Sequence, residues 1–359
     1  MKTYIKFLLK LFSNSILYVF FIMSSLVIIL NILSEIEFFK IYSVDTLLPI
    51  YMGLLNTPSL IFEMFPFIFL IATQVFFVSL FSNNEIQIFK YSGLKNTSIL
   101  MVISIFSLII GIFIITVFYN TSSNLKNFYI KIKSNYTSEE NHLAVITKNG
   151  LWIKDIDTTN DKLTIVNASK IDRNFLLNVF ITEFDNNYTV QRNIRSEKVD
   201  IINNKWLINN PRIYQNNEQY ELENLNINTN FDYEKIQNLF SNLSSLSLVK
   251  LIELRKNYKL LNYSTTEVNI QILKIMTYPI YFVLMTILSS IIMFNTKNFK
   301  STSFKISIGL FFSVIIYYLF NFFYILGNIE KISLFLSICL PLLTLSIINI
   351  LLLYGLNEK

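Results

Sequence analysis

Residues 59–95 read SLIFEMFPFIFLIATQVFFVSLFSNNEIQIFKYSGLK. As far as Phe81 they carry a single charge, Glu63. A helix needs about 20 mostly apolar residues to cross the hydrocarbon of a bilayer, so residues 59–81 read as a membrane span. The chemistry then changes abruptly. Ser82-Asn83-Asn84-Glu85 fits a capping box, in which a serine accepts an amide at a helix start and a glutamate reaches back to it. Gly93 supplies the left-handed conformation that ends a helix. A short surface helix is predicted over residues 85–92, with Ile86 and Phe89 on one side. It is either a structural elbow or a rigid knob that fits a groove on a cytoplasmic motor and carries its motion into the membrane.

Working outward, five further apolar runs read as spans: 16–33, 97–118, 270–294, 304–326 and 332–354. Three spans thus precede a long polar stretch and three follow it. The composition agrees: the chain is 53% hydrophobic and 15% charged, where a soluble domain carries about a quarter charged residues. Most of its 30 basic and 24 acidic residues fall between Tyr119 and Asn269. Lys2, Lys6 and Lys10 precede the first run as they would in a signal peptide, but the run is long and no small-x-small cleavage site follows, so it reads as an uncleaved first helix. Short-loop lysines set the orientation. Lys2, Lys6, Lys10, Lys90, Lys95, Lys297, Lys300, Lys305 and Lys359 flank one side, and Lys40 and Lys331 the other. Both termini are therefore expected in the cytoplasm and residues 119–269 outside it.

The polar stretch alternates short Val/Ile/Phe/Tyr-rich runs with asparagines, the pattern of antiparallel strands and turns. Runs 143–147 and 151–156 flank Asn149-Gly150, a strong hairpin signal. Further runs at 175–184, 188–193, 198–202 and 205–208 are separated by asparagine pairs. An all-β sandwich or jelly roll of roughly eight to ten strands is expected. Its end turns helical, with Ser247 as N-cap. The expected fold class is a polytopic α-helical membrane protein of six transmembrane helices with an inserted all-β, jelly-roll-like domain. Its parts are spans one to three (1–118), the β domain (119–245), a connecting helix (246–269) and spans four to six (270–359).

Several function classes drop out. No G-x-x-x-x-G-K-[ST] occurs, so the chain has no P-loop of its own. With one cysteine, Cys339, and one histidine, His142, neither an intrachain disulfide nor a Cys/His zinc cluster can form. His142 sits in a polar run and reads as a solvated surface residue. No nucleophile, base and metal constellation can be assembled, so no catalytic and no metal-binding residues are expected. The net charge of +6 is explained by membrane orientation rather than by nucleic acid. The charges within spans, Glu63 and Lys274, lie near outer ends, and there is no buried row of acids such as a proton-driven carrier would use.

Other residues carry a family likeness. Pro58 and Pro66 followed by Leu70 and Ala72, then Asn84-Glu85 and Ser92-Gly93, resemble the proline-containing second span and coupling helix of the LptF/LptG permeases of the bacterial lipopolysaccharide exporter. Gly150-Leu151-Trp152-Ile153-Lys154-Asp155 resembles an early periplasmic strand and looks more like LptG than LptF. Leu246-Ser247-Leu248, continuing through Glu253 and Arg255, is similar to the helix that returns the chain to the membrane. The likeness extends over nearly the full length in architecture.

The resemblance implies an inner-membrane subunit that binds no cofactor itself. It implies pairing with a second six-span, LptF-like permease and with an LptB-like dimer of soluble ABC ATPases, which would use ATP and Mg. An LptC-like single-span protein would assist the passage of lipopolysaccharide to a periplasmic bridge. By this likeness Glu85, Ile86, Phe89, Ser92 and Gly93 form the ATPase coupling element. The family's basic residues at the outer end of span one are represented only by Lys40, in a stretch that otherwise reads Asn31, Glu35, Glu37. Lys40, together with Lys274 ahead of Pro279, is the candidate for lipid phosphate contact.

A lipid leaves a bilayer only if its apolar surface stays covered, at about 0.8 kcal/mol per methylene. Phe311, Phe312, Tyr317 and Phe320 of span five are candidates for a greasy cavity wall, and inward strand residues of the β domain for its continuation. The alternative function is a membrane sensor or envelope-assembly scaffold whose β domain binds a ligand without transport.

Overall fold

The computed structural model describes residues 3–42, 44–133, 136, 151–157, 162–172, 174–185, 188–215, 218–229, 231, 233, 236, 242–260, 264–296 and 301–357. The expected strand at 143–147, its Asn149-Gly150 turn and His142 lie outside the described residues. The chain divides into two units, one comprising residues 1–129 with 269–359 and the other residues 130–268.

Among the described residues, six helices are long and apolar enough to cross a membrane. In chain order they are α1 (Thr3–Phe39), α2 (Leu47–Ser82), the continuous helix formed by α4 (Asn96–Phe113) and α5 (Asn120–Lys133), then α7 (Thr266–Asn295), α8 (Thr302–Asn328) and α9 (Leu334–Asn357). The short α3 (Glu85–Tyr91) follows α2, and α6 (Leu248–Leu260) precedes α7. The first five apolar runs lie wholly inside these helices. The last starts later than expected, because Ser333 stands ahead of α9 and accepts the Leu336 amide at 3.4 Å.

The third span also departs from expectation. The helix does not stop at Phe118 but passes through a π-helical turn, Ile114–Tyr119, and runs on as α5 to Lys133. Neither glycine nor proline interrupts residues 112–133, so nothing local ends the helix where the hydrocarbon would.

α2 and α7 form the centre of the membrane unit. Of their most apolar windows 61% and 72% are buried, against 22% for α1 and 17% for α8. Their faces meet through stacked rings, Phe69 on Phe282 at 4.7 Å and Phe62 on Tyr278 at 5.0 Å. Polar side chains then tie neighbours together, as they do where backbone groups have no water to turn to. Ser289 donates to the Leu70 carbonyl at 2.7 Å, Gln74 to that of Lys305 at 2.9 Å and Asn349 to that of Leu284 at 3.0 Å. Asn31 of α1 donates to the Gly53 carbonyl of α2 at 2.6 Å. Glu35, near the C-terminal end of α1, is buried and accepts from the Tyr129 hydroxyl at 2.7 Å.

The second unit holds an eight-stranded antiparallel sheet: β1 (Leu151–Asp157), β2 (Lys162–Asp172), β3 (Phe175–Phe184), β4 (Val190–Asp200), β5 (Lys205–Asn209), β6 (Arg212–Gln215), β7 (Glu218–Glu221) and β8 (Asn224–Asn228). β1 to β5 pair in chain order, β8 closes onto β5, and β6 pairs with β4 and β7. The separate runs expected at 188–193 and 198–202 are one strand, β4. Ile194, Ser196 and Val199 keep facing inward through the polar interval, and the Ser196 hydroxyl stays paired by donating to the Asn209 carbonyl at 2.6 Å. Trp206 is fully buried and donates to the Phe231 carbonyl at 2.7 Å.

Arg192 of β4 forks onto buried Glu183 of β3 through two bonds of 2.8 Å. Those bonds hold the guanidinium above its ordinary pKa. Arg192→Met would leave the Glu183 carboxylate buried and unpaired, at a cost of about 3 kcal/mol. Thermal unfolding of the full chain, followed by tryptophan emission, should shift downward accordingly. An unchanged transition would show that water replaces the arginine.

Candidate functional site

The amphipathic knob after span two exists, but it starts differently from the expected capping box. α2 runs through Ser82, whose hydroxyl donates back to the Ser79 carbonyl at 3.0 Å. The residue ahead of α3 is Asn84, in the left-handed region at φ 57° and with no side-chain cap bond. Asparagine tolerates that conformation, so the elbow bends there. The helix end is as expected. Gly93 has φ +78°, its amide reaches the Lys90 carbonyl at 3.0 Å and that of Leu94 reaches Phe89 at 2.9 Å, the paired bonds of a Schellman motif. Ser92 adds hydroxyl bonds to the Ile88 and Phe89 carbonyls.

Of the five coupling candidates, Ile86 and Phe89 face the bundle. Ile86 is buried, and Phe89 meets Phe7 of α1 edge-on at 6.1 Å. Ile88 and Tyr91 lie on the outside, 62% and 88% exposed. Periodicity shows two faces on a seven-residue helix but not which one the rest of the chain covers. Glu85 is half-buried at the first turn, and one of its carboxylate oxygens is covered without a hydrogen-bond partner.

A second feature is a cavity of about 110 Å³ enclosed by α2, α7, α8 and α9. Tyr278, Tyr281, Tyr317 and Tyr324 line it with Phe320, and Glu63, Lys274, Asn321 and Ser337 supply polar groups. Phe320 stacks on Tyr281 at 4.2 Å. Such a wall gives apolar contact with hydrogen-bonding rims and suits an amphiphile rather than a bare ion. Lys274 is already engaged, with its ammonium 5.0 Å from the centre of the Tyr324 ring and within electrostatic range of Glu63. A lipid phosphate would have to displace these.

The structure divides the remaining candidates. Tyr317, Phe320 and Lys274 share the cavity. Phe311 and Phe312 are exposed on α8 outside it, and Lys40 stands exposed after α1, also outside it. The tyrosines of α7 and Tyr324 were missed because each sits in an ordinary apolar run, and only the convergence of four helices makes them a group. The inward strand residues expected to continue a covered path, such as Ile153, Val179 and Ile194, are 0–1% exposed. They are packed core, so polar substitution there would act first through folding. Among the described residues, no three His, Cys, Asp or Glu side chains converge to hold a metal ion.

Comparison with known families follows the same outline. No individual curated protein matches the chain. The family model described as lipopolysaccharide export system permease LptF/LptG matches residues 6–355, taking in all six membrane helices and the inserted sheet. The chain therefore belongs to the LptF/LptG family of lipopolysaccharide export permeases, as a multi-pass membrane protein.

Proposed function

We propose that the chain is the LptG-like half of an ATP-driven exporter that lifts lipopolysaccharide from the inner membrane and passes it to a periplasmic bridge. Its partners in this reading are a second, LptF-like six-span permease, an LptB-like ATPase dimer that uses ATP and Mg, and an LptC-like single-span protein. The observation that carries it is the seat of α3. Ile86 and Phe89 fix the helix to its own bundle, the Schellman motif fixes its end, and Ile88 and Tyr91 are left uncovered. A knob held rigidly on one face and bare on the other can receive a push and transmit it. The unpartnered Glu85 oxygen adds an acceptor at its start. The lysine bias puts this end and both termini in the cytoplasm and the β domain in the periplasm. The tyrosine-lined cavity, with Lys274, Tyr317 and Phe320, is a candidate contact for the lipid.

The test is to draw the tagged full chain from native membranes in mild detergent and identify its companions. An ABC-type ATPase and a second six-span permease are expected. Ile88→Asp combined with Tyr91→Asp should lose the ATPase and keep the permease, because the seat is untouched, and Glu85→Lys should do the same. Unchanged ATPase recovery from both would move the docking surface elsewhere. Recovery of the chain alone, under conditions that preserve other complexes, would favour the sensor or scaffold.

A further inference from the structure

The end of the membrane unit that carries α3 also holds a groove of about 290 Å³ that the export reading leaves unused. One side is cationic, with Lys90 from the last turn of α3 and Lys95 just ahead of α4, both exposed. The other is apolar. Leu94 and Leu100 meet Phe294, near the end of α7, and Leu353, near the end of α9. Among the described residues, no acidic side chain lines the groove. α4 begins here without a side-chain cap at Lys95, and the first amides of a helix have no intrahelical partner. A basic wall and a greasy wall therefore meet where helices leave the bilayer, the depth at which a lipid changes from headgroup to chain. The same lysines mark this end as cytoplasmic, the side whose leaflet carries anionic lipid.

We propose that the groove seats one anionic phospholipid of the cytoplasmic leaflet, with its phosphate between Lys90 and Lys95 and an acyl chain along Leu100, Phe294 and Leu353. Because Lys90 belongs to α3 and Lys95 to the start of the next span, the lipid would clasp both sides of the Gly93 turn. The occupant follows from charge complementarity joined to the apolar wall. A free phosphate would use only the first, and an acidic peptide would leave the second exposed. The inference goes beyond the export reading and depends on the orientation alone, not on the cargo.

The purified full chain, stripped of lipid by detergent exchange, is offered equal amounts of phosphatidylglycerol and phosphatidylethanolamine, and retained lipid is counted by native mass spectrometry. One phosphatidylglycerol is expected to be kept roughly thirtyfold over phosphatidylethanolamine, the scale of two lysines at a membrane surface. K90Q with K95Q should abolish the preference, and so should Leu353→Trp, which fills the apolar wall and keeps both charges. K6Q with K10Q, at the cytoplasmic end of α1, should leave it intact. If the tryptophan variant fails to fold, Leu353→Gln makes the same wall polar at similar size. A preference that survives the Leu353 variants, or falls equally in K6Q with K10Q, would reduce the effect to diffuse charge and overturn the seat. Displacement of the lipid by millimolar inorganic phosphate would make it an anion site instead. Failure to recover an ATPase would not alter the lipid preference, so the two readings fail separately.

Discussion

Gly111→Leu is expected to remove most folded protein from the membrane. A Cβ at Gly111 would stand 2.9 Å from the Cα of Pro279 and 3.0 Å from the Phe282 ring. The first obstacle is backbone, which cannot rotate away, so α4 and α7 would have to separate. Separation would strain the contact between the Ser107 and Thr286 hydroxyls at 3.0 Å and the Phe69–Phe282 stack. Overpacking a well-filled site costs about 1–3 kcal/mol. A leucine against backbone belongs at or beyond the top of that range, and membrane helices have little hydrophobic drive to bring them back together. Membrane yield and a monodisperse gel-filtration peak report the outcome. Gly111→Ala, needing a shift of tenths of an ångström, should fall between, and wild-type behaviour of the leucine variant would mean that the helices do not cross so closely.

The second large effect is functional and should leave folding intact. Gly93→Val places a β-branched residue at φ +78°, with nothing within 4 Å of the new Cβ. The cost is confined to backbone strain of about 1–2 kcal/mol, and it falls on the turn that ends α3. Bound ATPase and lipopolysaccharide export should drop about tenfold while membrane yield is unchanged. Gly93→Asn, which tolerates the left-handed region, should retain most of both. Loss of yield in the valine variant, or equal loss in the asparagine variant, would assign the glycine to folding rather than coupling.

These cases mark what the sequence carries and what it withholds. Gly93 was legible because a glycine after a short helical stretch has one common use there. The six spans were legible because about 20 apolar residues admit few other fates. The elbow was misread at Ser82 because a capping pattern does not say whether the preceding helix has ended, and α2 holds the serine. The run-on of span three was illegible for a related reason: hydropathy reports where hydrocarbon ends, not where a helix does. Strand β4 was split because the polar residues at 195–198 looked like a turn, yet Arg195, Glu197 and Lys198 face outward and buried Ser196 finds a hydrogen-bond partner in the Asn209 carbonyl. The tyrosine-lined cavity could not be seen at all, since its members come from four helices far apart in the chain.

The π-helical turn at Ile114–Tyr119 bears on how this chain tolerates changes of length. Removing one residue from a membrane helix ordinarily swings everything downstream by about 100° and would carry Tyr129 away from Glu35. A π turn already stores one residue more than an α turn needs. Deleting exposed Val117 should let the segment relax to plain α-helix while Gly111 keeps its approach to Pro279 and Tyr129 its bond. The same deletion at buried Ser107 has no such slack to draw on. A deletion, so damaging elsewhere in a packed membrane bundle, costs little at this turn.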